Sequence, residues 1–235
     1  MGQAALTFDC AGTLIAVRWE PAKFAVECAE EAGARFPSVT HAQDAYSRLL
    51  NSRWSKYQEL NLLRDRATCD RFWAELTHDW LEEVGESSGR LNEILEIARS
   101  RLYGDRCDQF SLFEDSLGAL DWAKRQGFRL AALSNWDYSL HLVIDRLGIR
   151  EYFDEVVASL EEGVEKPDPR LFQIALDRLG VAAAEATHIG DDRIDDWTGA
   201  KGAGLRAVLL DRSGRGGEHA ISSLRELPEA LGCRT

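Results

Sequence analysis

The sequence predicts an α/β protein, a doubly wound parallel sheet with a second, all-helical domain. Three observations predict it. From about Phe110 onward, short apolar runs alternate with helical patterns, the signature of a parallel sheet wound with helices. One similar run stands alone near the start, Ala4-Ala5-Leu6-Thr7-Phe8, ending abruptly on Asp9, with Gly12 close behind to let the chain turn. Between the two, roughly 95 residues carry helical signals alone, too many for a loop, so the block reads as an insertion. The expected division is a core of residues 1–15 and 112–235 and a helical domain of 16–111.

At 235 residues and 45% hydrophobic, the chain can bury a real core. Its formal net charge of −12 excludes nucleic acid as the natural partner, because that partnership needs Lys and Arg to neutralise phosphates. A small anionic substrate stays open, since a bound cation can dominate its local field. The opening residues Met1–Leu6 have no basic region leading into a long apolar run, and no stretch approaches the ~18 apolar residues of a membrane span. Cysteines at 10, 28, 69, 107 and 233 show no CxxC spacing, so neither a zinc site nor a disulfide framework is expected. A cytoplasmic protein is the economical expectation. Oligomeric state is not readable.

In chain order, Pro21 opens a helix running to Gly33. Thr40-His41-Ala42-Gln43 fits a capping box for a long helix through about Leu60. A third helix covers Arg66 to Val84, with Phe72, Trp73, Leu76 and Trp80 at helical spacing, and a fourth Arg90 to Leu102. The tryptophans of this region read chiefly as helix-packing residues. Beyond it come a helix at 114–126, the strand Phe128–Leu133 ending in Ser134-Asn135, a helix at 138–147 and the strand Glu155–Ala158. A helix at 169–179, the strand Thr187–Ile189, a helix at 193–203, the strand Leu205–Leu210 and a helix at 222–231 complete the chain. The Ser213–Gly217 run reads as a Gly-rich surface turn.

Four strand ends carry polar residues: Asp9, then Ser134-Asn135, then Lys166 in Glu165-Lys166-Pro167-Asp168-Pro169, then Gly190-Asp191-Asp192 with Asp195-Asp196. Each has an ordinary reading as a cap, a turn or a solvated charge. In an open parallel sheet, however, the carboxyl ends of the strands are where ligands bind. A carboxylate nucleophile there needs a cation to orient it and donors for the transferring oxygens. Asp9 and Asp191 brought together would repel without a cation, and Mg²⁺, held by few carboxylates plus water and substrate, suits them.

Taken in this order, the motifs resemble the haloacid dehalogenase-like hydrolases, and the insertion after the first motif resembles the subfamily with an all-helical cap. The likeness is strongest across Leu133–Asp137, Glu165–Pro169 and His188–Asp192 through Gly199-Ala200. It implies a lid above the carboxyl edge of the sheet and a small-molecule anionic substrate. It implies Asp9 as nucleophile, forming a covalent aspartyl intermediate. Ser134 and Asn135 would hold the phosphoryl oxygens, with Gly12 and Thr13 also lining the substrate site, and Lys166 would orient Asp9. Mg²⁺ would be bound by Asp9, Asp191 and the Ala11 carbonyl, with Asp192 and Asp196 behind them or acting through water. Arg18, Trp19 and Trp136 are candidates for substrate contact, with Trp54 and Lys56 as further pocket-facing residues.

One position departs from the phosphatases that the chain resembles. They usually carry Asp two residues after the nucleophile, as general acid and base, and here that residue is Ala11. Its carbonyl can ligate a metal, but its side chain cannot move a proton, and such catalysis is typically worth about 10²–10⁴-fold. The leading expectation is therefore a Mg²⁺-dependent, phosphatase-type hydrolase that favours good leaving groups. Alternatives are a 2-haloacid dehalogenase-like activity, which expels halide without an acid; a phosphonoacetaldehyde hydrolase-like activity, which needs a cap lysine such as Lys23 or Lys56; and a non-catalytic binding protein.

Overall fold

The computed structural model describes residues 4–215 and 220–233. Gly216 and Gly217 of the expected surface turn therefore lie outside the described residues. Contacts divide the chain into two units, Met1–Val17 with Ser111–Thr235, and Arg18–Phe110.

The first unit is built on a parallel sheet. Its strands, numbered along the chain with a short two-stranded ribbon, are β1 (Ala5–Phe8), β2 (Ile15–Val17), β3 (Phe110–Leu112), β4 (Arg129–Ser134), β5 (Glu155–Ala158), β6 (Ala186–Gly190), β7 (Arg206–Leu210) and β8 (Ala220–Ile221). β2 and β3 form the ribbon, and the remaining six lie in the order β5-β4-β1-β6-β7-β8, every neighbour parallel. β1 is central, and the chain winds outward from it in both directions. That is the switch point of a doubly wound sheet, where a crevice opens beyond the carboxyl ends of the strands.

All four residues of β1 are buried, which explains why it reads as one apolar run rather than an alternating one. On one face, Ala5, Ala131 and Ala186 keep the sheet surface low enough for the helix Pro169–Leu179 to seat Leu171, Phe172, Ala175, Leu176 and Leu179 against it. Asp168 caps that helix by accepting the Arg170 amide at 2.9 Å, and Pro169 supplies its first residue. The helices Ser116–Arg125 and Ser139–Arg146 bury Leu120 and Ala123, and Leu140, Val143 and Ile144.

Two expected helices are corrected. The 193–203 segment is a wide π-type turn, Arg193–Thr198, followed by one short helix, Gly199–Gly202. Asp192 starts it by accepting the amides of Ile194 and Asp195, and Gly199 follows it in tight contact with Pro167 and Phe172. The 222–231 segment is a 3₁₀ turn, Leu224–Glu226, then the short helix Leu227–Ala230. Ser223 and Glu226 cap the turn reciprocally, and Pro228 sits in the first turn of the short helix.

The second unit consists of the helices Pro21–Glu31, Val39–Asn61, Arg66–Glu83 and Leu91–Leu102. The cap of the long helix lies two residues before the expected one: Ser38, not Thr40, is its N-cap, accepting the His41 amide. Trp80 is fully buried and stacks with Phe36 and Tyr46, and its indole N–H donates to the Ala42 carbonyl at 2.8 Å. Among the described residues, no helix is long and apolar enough to cross a membrane.

Candidate active site

Adjacent strands in register bring the polar strand ends of the first unit together. Asp9 follows β1, Ser134 closes β4, and Gly190-Asp191 end β6. The Asp9 amide donates to the Ile189 carbonyl at 2.9 Å, holding the nucleophile candidate against β6. Its Oδ1 accepts from the Ser134 hydroxyl at 2.8 Å and from Lys166 Nζ at 2.6 Å. Among the described residues no hydrogen bond reaches Asp9 Oδ2, which leaves it for a ligand.

Lys166 is buried, and its second carboxylate is Asp196 Oδ1, also at 2.6 Å. Asn135 fixes the Lys166 backbone on both sides, since its Nδ2 donates to the Lys166 carbonyl and its Oδ1 accepts the Lys166 amide. Asn135 thus acts here as a strut for Lys166 and also reaches Asp195 at 3.3 Å. Both oxygens of Asp196 are engaged. Its Oδ1 accepts from Lys166 and His188 Nε2, and its Oδ2 accepts the Asp192 amide. The other ring nitrogen of His188, Nδ1, is hydrogen-bonded to the Thr7 hydroxyl at 2.8 Å. Gly190 permits this arrangement, because a Cβ there would overlap the Asp196 carboxyl.

Asp191 stands on the other side of Asp9. The Thr13 hydroxyl donates to its Oδ1 at 2.8 Å, and its carboxylate lies against Gly12, where a Cβ would overlap it. Gly12 has φ +78°, so glycine suits the position on conformational grounds as well. Asp9, Asp191 and Asp196 each offer a carboxylate oxygen, all within 4.8 Å of one another.

This crowding governs the ionisation of the site. Burial pushes the Asp191 carboxyl up to about 6, with the charges of Asp9 and Asp196 adding to the shift against the Thr13 hydrogen bond. Burial likewise raises Asp9, although Lys166 opposes it. For Asp196 the hydrogen bonds and charges of His188 and Lys166 overcome burial and hold the carboxyl well below its usual range. Burial alone would lower Lys166, but Asp9 and Asp196 outweigh it and raise it.

The donor set fits a hard divalent cation. Both oxygens of Asp196 already accept hydrogen bonds, so the freest oxygens are Asp9 Oδ2, the Asp191 carboxylate and the Ala11 carbonyl, which among the described residues accepts no hydrogen bond. Trp136 has its indole N–H on Ser139 Oγ at 3.0 Å. Arg18 and Trp19 belong to the second unit, as do Trp54 and Lys56. Trp19 packs edge-on against Trp73, and its buried Nε1 has no hydrogen-bond partner among the described residues. Lys23 and Lys56 are both exposed beside Glu20 and Glu75, an environment unlike the apolar pocket that activates a Schiff-base lysine.

One motif residue and one residue outside the motifs complete this neighbourhood. His188, inside β6, is placed opposite Thr7 by the register. Arg212, just after β7, donates to the Gly12 and Thr13 carbonyls. The strand-end rule that picks out Asp9 also picks out that position.

A family description, haloacid dehalogenase-like hydrolase, matches residues 4–204. The phosphoserine phosphatase of Thermus thermophilus is 34% identical over 69% of this chain and 64% of its own. The (S)-2-haloacid dehalogenase 1 of a Pseudomonas species is 31% identical over 97% of this chain and 96% of its own. Among solved structures, a HAD phosphatase from Thermococcus onnurineus superimposes with a TM-score of 0.65 at 23% identity, covering 98% of this chain and 99% of that one, a likeness of fold.

Proposed function

Because this chain belongs to the haloacid dehalogenase-like hydrolase family, we propose that it is a magnesium-dependent, phosphatase-type hydrolase of a small phosphorylated metabolite, with Asp9 as nucleophile. One observation carries the reading. Three carboxylates offer oxygens within 4.8 Å of one another, while the neighbouring ammonium, Lys166, is already shared by Asp9 and Asp196. Among the described residues Asp191 has no such partner, and a divalent ion is the economical remedy for two adjoining carboxylates that must also receive an anion. Asp9, Asp191 and the Ala11 carbonyl would hold Mg²⁺, which when bound offsets the charge of the phosphoryl group and polarises it.

The chain's own groups account for the remaining steps. An Asp9 oxygen attacks phosphorus as the bond to the leaving oxygen breaks, giving an aspartyl phosphate. Water then cleaves that mixed anhydride, restoring the carboxylate and releasing inorganic phosphate. Lys166 favours the ionised form of Asp9 and aims it, and the Ser134 hydroxyl, which donates to Asp9 Oδ1 at 2.8 Å, would turn to a phosphoryl oxygen when substrate binds. Asp196, itself bonded to His188, holds the Lys166 ammonium in place. With Ala11 unable to protonate a leaving group, aryl and acyl phosphates are the favoured class and simple alkyl phosphates turn over slowly.

A second reading, hydrolysis of a carbon–halogen bond, is favoured by Ala11, since halide leaves without a proton. The dehalogenase relative aligned over 97% of this chain supports it too. Asp191 stands against it, because attack on a haloacid needs no metal carboxylate. A panel of aryl, acyl and alkyl phosphates and 2-haloacids, run with Mg²⁺ and with EDTA on wild type and Asp9→Asn, separates the two. Phosphate release that requires Mg²⁺ and Asp9 supports the phosphatase reading. Chloride release in EDTA with no phosphate release replaces it with the dehalogenase.

A further inference from the structure

The turn after Asp9 is held from outside the family motifs. Arg212 Nε donates to the Gly12 carbonyl at 3.2 Å and Nη2 to the Thr13 carbonyl at 2.6 Å. Nη1 and Nη2 also bind the Asp115 carboxylate, at 3.1 and 3.0 Å, and the guanidinium lies 3.7 Å from the centroid of the Phe113 ring. Asp115 is buried and anchored in turn by the Ser223 hydroxyl and the Leu224 amide, at 2.7 and 2.9 Å. The guanidinium is therefore fixed on one edge by a carboxylate and presents its remaining N–H groups to two consecutive carbonyls.

Those two carbonyls belong to the residues that seat Asp191. Thr13 holds Asp191 Oδ1 with its hydroxyl, and Gly12 lies under the carboxylate. We propose that Arg212, anchored by Asp115, is a positioning residue for Asp191: it sets the Gly12–Thr13 backbone so that the Thr13 hydroxyl holds the carboxylate in place for the divalent ion. The inference rests on the magnesium-dependent reading above. Lysine cannot replace arginine in this role, because a single ammonium cannot span a carboxylate and two carbonyls in a fixed fork. Side chains that orient metal ligands typically contribute about 10–100-fold in metal affinity.

The test is Mn²⁺ affinity of the full chain, read by water-proton relaxation, for wild type, Arg212→Lys, Thr13→Val and the double variant. Arg212→Lys keeps a cation beside Asp115, and its fold is checked by circular dichroism and a thermal melt. The expected result is an affinity loss of about tenfold or more in each single variant, with the double variant little worse than the weaker single, as coupled residues require. On an aryl phosphate at saturating Mg²⁺, kcat of Arg212→Lys recovers toward wild type with KM little changed. Should Arg212→Lys misfold, Asp115→Asn loosens the same anchor and must lower Mn²⁺ affinity in the same direction. Wild-type affinity in a folded Arg212→Lys, wild-type affinity in Asp115→Asn, or strictly additive losses overturn the inference while leaving the magnesium reading intact. Failure of wild type itself to bind Mn²⁺ or Mg²⁺ overturns both.

Discussion

Lys166 places its ammonium nitrogen 2.6 Å from Asp9 Oδ1, with both side chains almost withdrawn from solvent. The same nitrogen bridges to Asp196, so one buried cation serves two buried anions. Removing it leaves both carboxylates without their charge partner, and breaking a buried pair from one side costs about 3–5 kcal/mol. Lys166→Met is expected to lose stability on that scale in urea unfolding, and to lose turnover of aryl phosphates. A variant as stable as wild type would contradict the bridge.

Gly12 tests the seat of Asp191. At φ +78° a side chain is strained, and here it would also strike the Asp191 carboxylate. Gly12→Ala should be destabilised by more than about 1 kcal/mol, beyond the strain of an incompatible backbone alone. Its Mg²⁺ affinity should fall together with its melting temperature.

The pH dependence follows from Asp191, raised to about 6 by burial and its acidic neighbours. The folded state binds this proton more tightly than the unfolded chain does. In the metal-free protein the group's contribution to stability is therefore present at low pH and lost as pH rises through about 6. Proton and ion compete for the same carboxylate. Mg²⁺ affinity should thus climb between about pH 5 and 7 and then level off, as read by calorimetry across that range.

Ala11 predicts a gain of function. Ala11→Asp supplies the missing acid and base, a role worth about 10²–10⁴-fold where the leaving group is poor. Alkyl phosphates should gain at least about tenfold in kcat in steady-state assays, and aryl phosphates little. An equal gain for both, or none, would count against the proposed assignment of the slow step.

Much of the fold is legible in the sequence because buried parallel strands read as unbroken apolar runs. β1 can be read that way, and so can residues 156–158 of β5. The helix 169–179 is equally legible, from Pro169 at its start and the apolar spacing of Leu171, Ala175 and Leu179. The segment after Asp192 is not, because a π-type turn and an α-helix share the same local preferences. What distinguishes them is the tertiary demand that Asp196 reach Lys166 and His188. The long helix shows a lesser ambiguity, in which Ser38 and Thr40 are both good caps and the fold uses the first.

The candidate site divides in the same way. Asp9, Ser134, Lys166 and Asp191 are visible as polar strand or loop ends, and the sheet register brings them together. Asn135 is visible too, but its engagement with the Lys166 backbone depends on a contact between loops about thirty residues apart, which local pattern does not encode. Arg212 and Asp115 lie still farther apart in sequence, and their pairing exists only in the folded chain.

The most direct measurement is a calorimetric titration of Mg²⁺ into wild type, Asp9→Asn and Asp191→Asn, each first shown to be folded. The account predicts one site per chain in wild type and loss of that binding in either variant. Undiminished Mg²⁺ binding in Asp191→Asn, or no binding by wild type at neutral pH, would contradict it.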